Sequence, residues 1–195
     1  MKASVVCIAK DKRSLSSELS HYLARNKALG TDIYIFDKDD HGVEFDLTSE
    51  KSKSFSYSNA LLESLKLIDS DAVMVIHDDA VPEDSTLNKL VSKMKDGISA
   101  VYAVAPHRGY VTCYVDYSPY IELYHESDRK IIQCVCGDDG CVLWNRADLV
   151  ECLPANLMPI GRSFAPINYE IGLRLIRMKK KSIVATMVKY KHNDR

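Results

Sequence analysis

Three short runs constrain this chain more than anything else in it: Ser4 to Ala9 (SVVCIA), Asp32 to Asp37 (DIYIFD) and Ala72 to His77 (AVMVIH) are almost continuously apolar. A strand that buries one face alternates apolar with polar residues, so unbroken runs of this length belong in a sheet covered on both faces. Such sheets have parallel neighbours, and parallel neighbours need crossover helices. The intervening segments supply them. Leu15, Leu19, Tyr22 and Leu23 recur at helical spacing after an N-cap at Ser14 or Ser16, and Gly30 ends that helix. From Tyr57 to Ile68, Leu61, Leu62, Leu65 and Ile68 share a helical face. A third helix, from Asp84 to Lys95, turns Leu87, Leu90, Val91 and Met94 inward ahead of a fourth strand, Ser99 to Ala105. The order strand, helix, strand, helix predicts an α/β fold with a doubly wound, mainly parallel sheet.

After Gly109 the texture changes. Tyr110 to Tyr117, Tyr120 to Tyr124, Lys130 to Cys136 and Gly140 to Trp144 alternate and are rich in tyrosine, which suggests antiparallel strands in a smaller portion. Pro154, Pro159, Gly161 and Pro166 punctuate a loop. A last helix, about Asn168 to Lys180, carries Ile171, Leu175 and Met178 on one face, and Ser182 to Tyr190 closes the sheet. With 195 residues, 46% of them hydrophobic, the chain can bury one substantial core, so 1–195 is read as a single domain with halves 1–106 and 107–195.

Charge and cysteines narrow the class. Lys plus Arg number 26 against 27 Asp plus Glu, so no global field draws the chain to nucleic acid or an acidic membrane. The N-terminal apolar run is too short for a signal segment or a transmembrane segment, which points to a cytoplasmic protein whose six cysteines stay reduced. Cys134-x-Cys136 within IIQCVC fits alternating strand positions better than the C-x2-C of a zinc ribbon.

An open α/β sheet binds ligands beyond the carboxyl ends of its strands. The first strand-to-helix turn, Lys10-Asp11-Lys12-Arg13, has no glycine, and neither a dinucleotide G-x-G-x-x-G nor a P-loop occurs anywhere. The strand ends offer acid instead: Asp37 and Asp39, then Asp78 and Asp79. Adjacent carboxylates repel unless a cation or hydrogen bonds offset the repulsion, and Mg²⁺ or Mn²⁺ would do so while sharing its remaining sites with water and phosphate oxygens. By itself, Asp78-Asp79 reads more readily as a solvated turn ahead of Pro82, with one of the pair capping a helix.

The wider sequence separates these readings. SYSNALLESLKLIDSDAVMVIHDDAVPE, from Ser56 to Glu83, resembles the asparagine-led helix, strand and D-x-D segment of the family-2 glycosyltransferases, which have the GT-A nucleotide-diphospho-sugar transferase fold. A compact subgroup of that family carries a histidine in the metal motif, as at His77. Gly140 to Leu149 resembles the family's acceptor-side strand and helix. Asn168 to His192 resembles its acidic catalytic helix, closing strand and terminal histidine.

The resemblance implies a set of roles. Asp79 and His192 would hold Mn²⁺ or Mg²⁺. Asp37, Asn59, His77 and Asp78 would contact the nucleotide of a nucleoside-diphosphate sugar, with UDP the expected carrier, and Glu170 would be the general base toward a hydroxyl acceptor. The implied reaction is an inverting, metal-assisted transfer. Glu170 falls in a first helical turn, where the helix dipole stabilises negative charge. The chain departs from many relatives in carrying one acid at the head of this helix, Glu170, with Ile167 where a second would stand. Arg108, Arg162 and Arg174 are possible diphosphate or acceptor contacts, although Arg174 has a helical partner within reach in Glu170. Trp144 and the tyrosines from 110 to 124 could stack on a sugar, but large aromatics in strands more often belong to a core. A homo-oligomer is compatible with so short a chain. The alternatives are a sugar nucleotidyltransferase, which would normally show a glycine-rich first turn, and an inactive or regulatory nucleotide- or phosphate-binding module.

Overall fold

The computed structural model of the protein describes residues 1–9, 15–36, 58, 61–105, 110–115, 122–125, 130–138, 140–153, 155, 159–160, 163–164 and 167–192. The predicted alternation is present: β1 (Ala3–Ile8), α1 (Ser17–Ala28), β2 (Ile33–Phe36), a helical stretch over 61–66 (α2), β3 (Ala72–His77), β4 (Ala80–Pro82), α3 (Thr86–Val91) and β5 (Ile98–Val104). Ser16 is the N-cap of α1, accepting from Leu19 N at 3.1 Å, and Gly30 takes the left-handed φ of +87° that turns the chain out of the helix. The second half contributes β6 (Tyr110–Cys113), β7 (Glu122–His125), β8 (Ile131–Cys134), β9 (Cys141–Asn145), α4 (Arg146–Cys152), β10 (Pro159–Ile160), β11 (Ser163–Phe164), α5 (Ile167–Arg177) and β12 (Lys181–His192).

The main sheet has the order β2-β1-β3-β9-β5-β12-β4, with β8 on the flank of β12. β2, β1 and β3 are parallel, and so are β5 and β12. β9 runs antiparallel between β3 and β5, at the centre of the sheet. The expectation had placed residues 140–144 with the antiparallel acceptor-side portion. The difference follows from burial: Cys141, Val142, Leu143 and Trp144 are all at most 2% exposed, so this is a run covered on both faces. Trp144 packs edge-on to Tyr102 at 5.6 Å, within the core. Only β6 and β7 form the separate hairpin foreseen for the tyrosine-rich region.

Helices cover both faces. α2, α4 and α5 pack against Val6, Val73, Val75 and Tyr102, while α1 and α3 pack against Val5, Met74, Ile76 and Leu143. The chain thus leaves β1 for β2 by way of a helix on one face, then returns for β3 on β1's other side by way of a helix on the opposite face. That reversal makes a topological switch point between β1 and β3, where sheets of this kind form their ligand crevice. In register, Ile8 lies beside His77 at its mouth.

Candidate functional site

β3 ends at His77, and the chain turns at once through Asp78 and Asp79 into β4. The two carboxylates therefore sit at the carboxyl edge of the sheet, at the switch point. Asp78 is largely buried, and the Asp79 side chain is 32% exposed. Both lie within electrostatic range of Cys7, one strand away on β1. Burial, with Asp78 and Asp79 adding to it, pushes that thiol up from 9.0 to about 12.

His192 arrives from the far end of the chain. β12 is bent along its length. Val184 pairs with Tyr102 and Lys189 with Val104, so four residues of β12 are accommodated across one residue of β5. A strand with such an excess bends away from its partner. Beyond the bend β12 pairs with β4, setting His192 opposite Ala80. The imidazole Nε2 consequently lies 3.6 Å from Asp79 Oδ2. That separation is too long for a hydrogen bond and marks an ion pair only when the imidazole is protonated.

Asp79 Oδ1 is buried and has no hydrogen-bond partner among the described residues. A buried carboxylate oxygen left without a partner is costly. A cation would satisfy it. Two ligands of one ion, each about 2.1 Å from it, can lie up to about 4.2 Å apart, so Asp79 and His192 can bind the same ion. Among the described residues no three of His, Cys, Asp and Glu converge as a metal cluster.

Glu170 lies in the first turn of α5. Because α5 leads into the start of β12, which runs parallel to β5, its N-terminus is at the same carboxyl edge as Asp78 and Asp79. The Glu170 carboxylate is 19% exposed and accepts from Arg174 Nη2 at 2.5 Å, the intrahelical pairing its spacing allows. Arg174 Nη1 donates to the carbonyl of Cys152 at the end of α4, at 2.6 Å. Arg174 is thereby the orienting partner of Glu170. Asp37, Asn59, Arg108 and Arg162 lie outside the described residues. All six cysteines are buried free thiols.

No protein-family model and no curated protein matches the chain. Solved structures do. The crystal structure of A197 from STIV matches with a TM-score of 0.63 at 17% identity, over 100% of this chain and 87% of that one. A CMP:2-keto-3-deoxy-manno-octonic acid synthetase complexed with CTP matches with a TM-score of 0.52 at 12% identity, over 94% of this chain and 89% of that one. The chain has a nucleotide-diphospho-sugar transferase-like fold. A UDP-glucose pyrophosphorylase complexed with UDP-glucose matches too, with a TM-score of 0.50 at 14% identity, over 97% and 74% of the two chains. At these identities the likeness is one of architecture. Among the described residues no helix is long and apolar enough to cross a membrane.

Proposed function

We propose that this protein is a metal-assisted transferase that moves a sugar from a nucleoside-diphosphate donor, UDP-linked by preference, to a hydroxyl acceptor with inversion. The observation that carries the reading is the buried, unpartnered Oδ1 of Asp79, whose carboxylate faces His192 at the switch point of a nucleotide-sugar fold. Asp79 and His192 would hold Mn²⁺ or Mg²⁺, which when bound supplies stabilisation of the negative charge developing on the departing diphosphate. Asp78 and His77 flank that position on the β1 side and are suited to the ribose hydroxyls. Asp37 and Asn59 keep their proposed places toward the nucleotide.

Glu170 is the proton acceptor for the attacking hydroxyl. Arg174 orients its carboxylate, which receives the proton as the hydroxyl attacks the anomeric carbon. Transfer without such a base would leave an oxonium on the new glycosidic oxygen, so the proton must depart as the bond forms.

A second reading is a sugar nucleotidyltransferase, which the similar structures, a CMP:2-keto-3-deoxy-manno-octonic acid synthetase and a UDP-glucose pyrophosphorylase, support better than they support glycosyl transfer. The glycine-free turn from Lys10 to Arg13 opposes it, because such enzymes use close backbone approach to phosphate at that turn. One pair of assays separates the two. Release of UDP from a UDP-sugar in the presence of Mn²⁺, abolished in Asp79→Ala, is expected for the transferase. Pyrophosphate release from a nucleoside triphosphate and a sugar 1-phosphate, with no turnover of the UDP-sugar, would replace it by the nucleotidyltransferase reading. Calorimetry with UDP and GDP, with and without Mn²⁺, defines the carrier: no binding of either removes the diphosphate site altogether.

A further inference from the structure

Asp79 and His192 are brought together where the end of β12 pairs with β4, and a contact of that same stretch of β12 with the residue before β9 has no room to spare. Gly140 precedes β9 at the carboxyl edge, and its carbonyl accepts from His77 N at 3.0 Å, tying it to the end of β3. Its own N–H donates to Asp138 Oδ1 at 3.2 Å. The residue is buried, and a Cβ built on it would run into the ring and hydroxyl of Tyr190. β5 separates β9 from β12 in the sheet, yet β5 ends at Val104, beside Lys189. Tyr190 is the first residue of β12 past that end, and its ring reaches Gly140.

Tyr190 is 3% exposed, pairs with Pro82 and lies two residues before His192, on the same face of the strand. A single ring thus spans from the β3 end, which carries Asp78 and Asp79, to the strand end that carries His192. We propose that Gly140 is a positioning residue: by admitting the Tyr190 ring it sets where the end of β12 lies, and so holds His192 at its distance from Asp79. The consequence for metal affinity rests on the transferase reading above. The placement of His192 does not.

Gly140→Ala would push the ring outward and, with it, the strand end. Removal of the phenolic oxygen in Tyr190→Phe takes away the atom nearest the added methyl but leaves ring carbons at 2.7 and 2.8 Å from it, so it relieves the push only in part. The test measures Mn²⁺ affinity by electron paramagnetic resonance and, without metal, the His192 imidazole proton resonances, assigned by their loss in His192→Gln. Melting temperature and circular dichroism establish that each variant is folded. In Gly140→Ala we expect the His192 resonances to move while those of His21 stay, and Mn²⁺ affinity to fall about 10-fold to 100-fold, as for other residues that orient a metal ligand. Gly140→Ala combined with Tyr190→Phe should recover a part of both.

A folded Gly140→Ala with unmoved His192 resonances overturns the proposal. If wild type binds no Mn²⁺ while the His192 resonances still move, the metal reading fails and the positioning role stands. Should Gly140→Ala not fold, Tyr190→Leu approaches the contact from the other side: it must move the His192 resonances, and unmoved resonances in that variant overturn the proposal equally.

Discussion

Arg174 binds Glu170 with one arm of its guanidinium and the Cys152 carbonyl with the other, so the orientation of the proposed base is anchored to the end of a neighbouring helix. The planar fork is what makes this double contact possible, and a lysine ammonium cannot reproduce it. Arg174→Lys is therefore expected to behave much like Arg174→Ala. Each should lower stability by about 1–3 kcal/mol, since each removes hydrogen bonds that involve a charged group. Each should also reduce kcat for sugar transfer more than it changes KM for the donor, because the proposed donor site is at Asp78 and Asp79 rather than at Glu170. Full activity in Arg174→Lys would show that Glu170 needs no such anchor.

Glu170→Gln keeps the shape of the side chain and its contact with Arg174 while removing proton uptake. The expected outcome is loss of about 100-fold or more in transfer rate with donor binding unchanged, the range usual for a general base. A variant that transfers sugar at the wild-type rate removes Glu170 from the mechanism, whatever the status of the metal.

Asp79 should trade stability for ligand binding. Its Oδ1 is buried without a partner among the described residues, which costs the fold stability. Asp79→Asn is expected to melt at the same temperature as wild type or above it in the absence of metal. Saturating Mn²⁺ should raise the melting temperature of wild type, by linkage to binding, and leave the variant unmoved. Thermal scans with and without Mn²⁺ measure both halves, and an equal metal-induced shift in the two proteins would exclude Asp79 as a ligand.

Gly172, in the middle of α5, separates two opposing effects. Alanine gains about 1 kcal/mol over glycine in a helix interior. Here, however, an added Cβ would collide with the Val135 backbone carbonyl, which cannot swing aside as a side-chain end can. Overpacking of this kind costs about 1–3 kcal/mol, and against backbone the upper part of that range applies. Gly172→Ala should thus destabilise, lowering the melting temperature by a few degrees. A rise would mean that α5 can lift off Val135 freely.

How far these features could be read in advance depended on the range of the interaction behind them. The strands at Ser4, Asp32 and Ala72 declared themselves through unbroken apolar runs, and α1 through Ser16 and Gly30, because those signals are local. The Arg174–Glu170 pair was open to inference from its one-turn spacing. The antiparallel sense expected for residues 140–144 holds in β9, but its insertion between β3 and β5 was not legible, because it is decided by pairing across the whole chain. Asp79 and His192 could each be singled out by resemblance, yet their 3.6 Å approach depends on the bend in β12 between Val184 and Lys189. Nothing in that segment's composition announces the bend. The same holds for Gly140, whose need to be glycine arises only once Tyr190 lies against it.

The buried thiols give a pH dependence whose sign can be worked out. Cys7 is pushed up from 9.0 to about 12, by burial first and then by Asp78 and Asp79, and Cys152 to about 11, chiefly by burial. Between pH 9 and those values the unfolded chain has released these protons and the folded chain still holds them. The unfolded state then binds fewer protons, so stability falls as pH rises, by at most about 1.4 kcal/mol per pH unit for each thiol. Below pH 9 both states keep the proton and this contribution is flat. Urea unfolding at pH 8, 9.5 and 10.5 should show the decline, and Cys7→Ala should decline less steeply than wild type. Parallel declines in the two proteins would mean that the Cys7 thiol does not hold its proton in the fold, and hence that it is not buried beneath Asp78 and Asp79 as described.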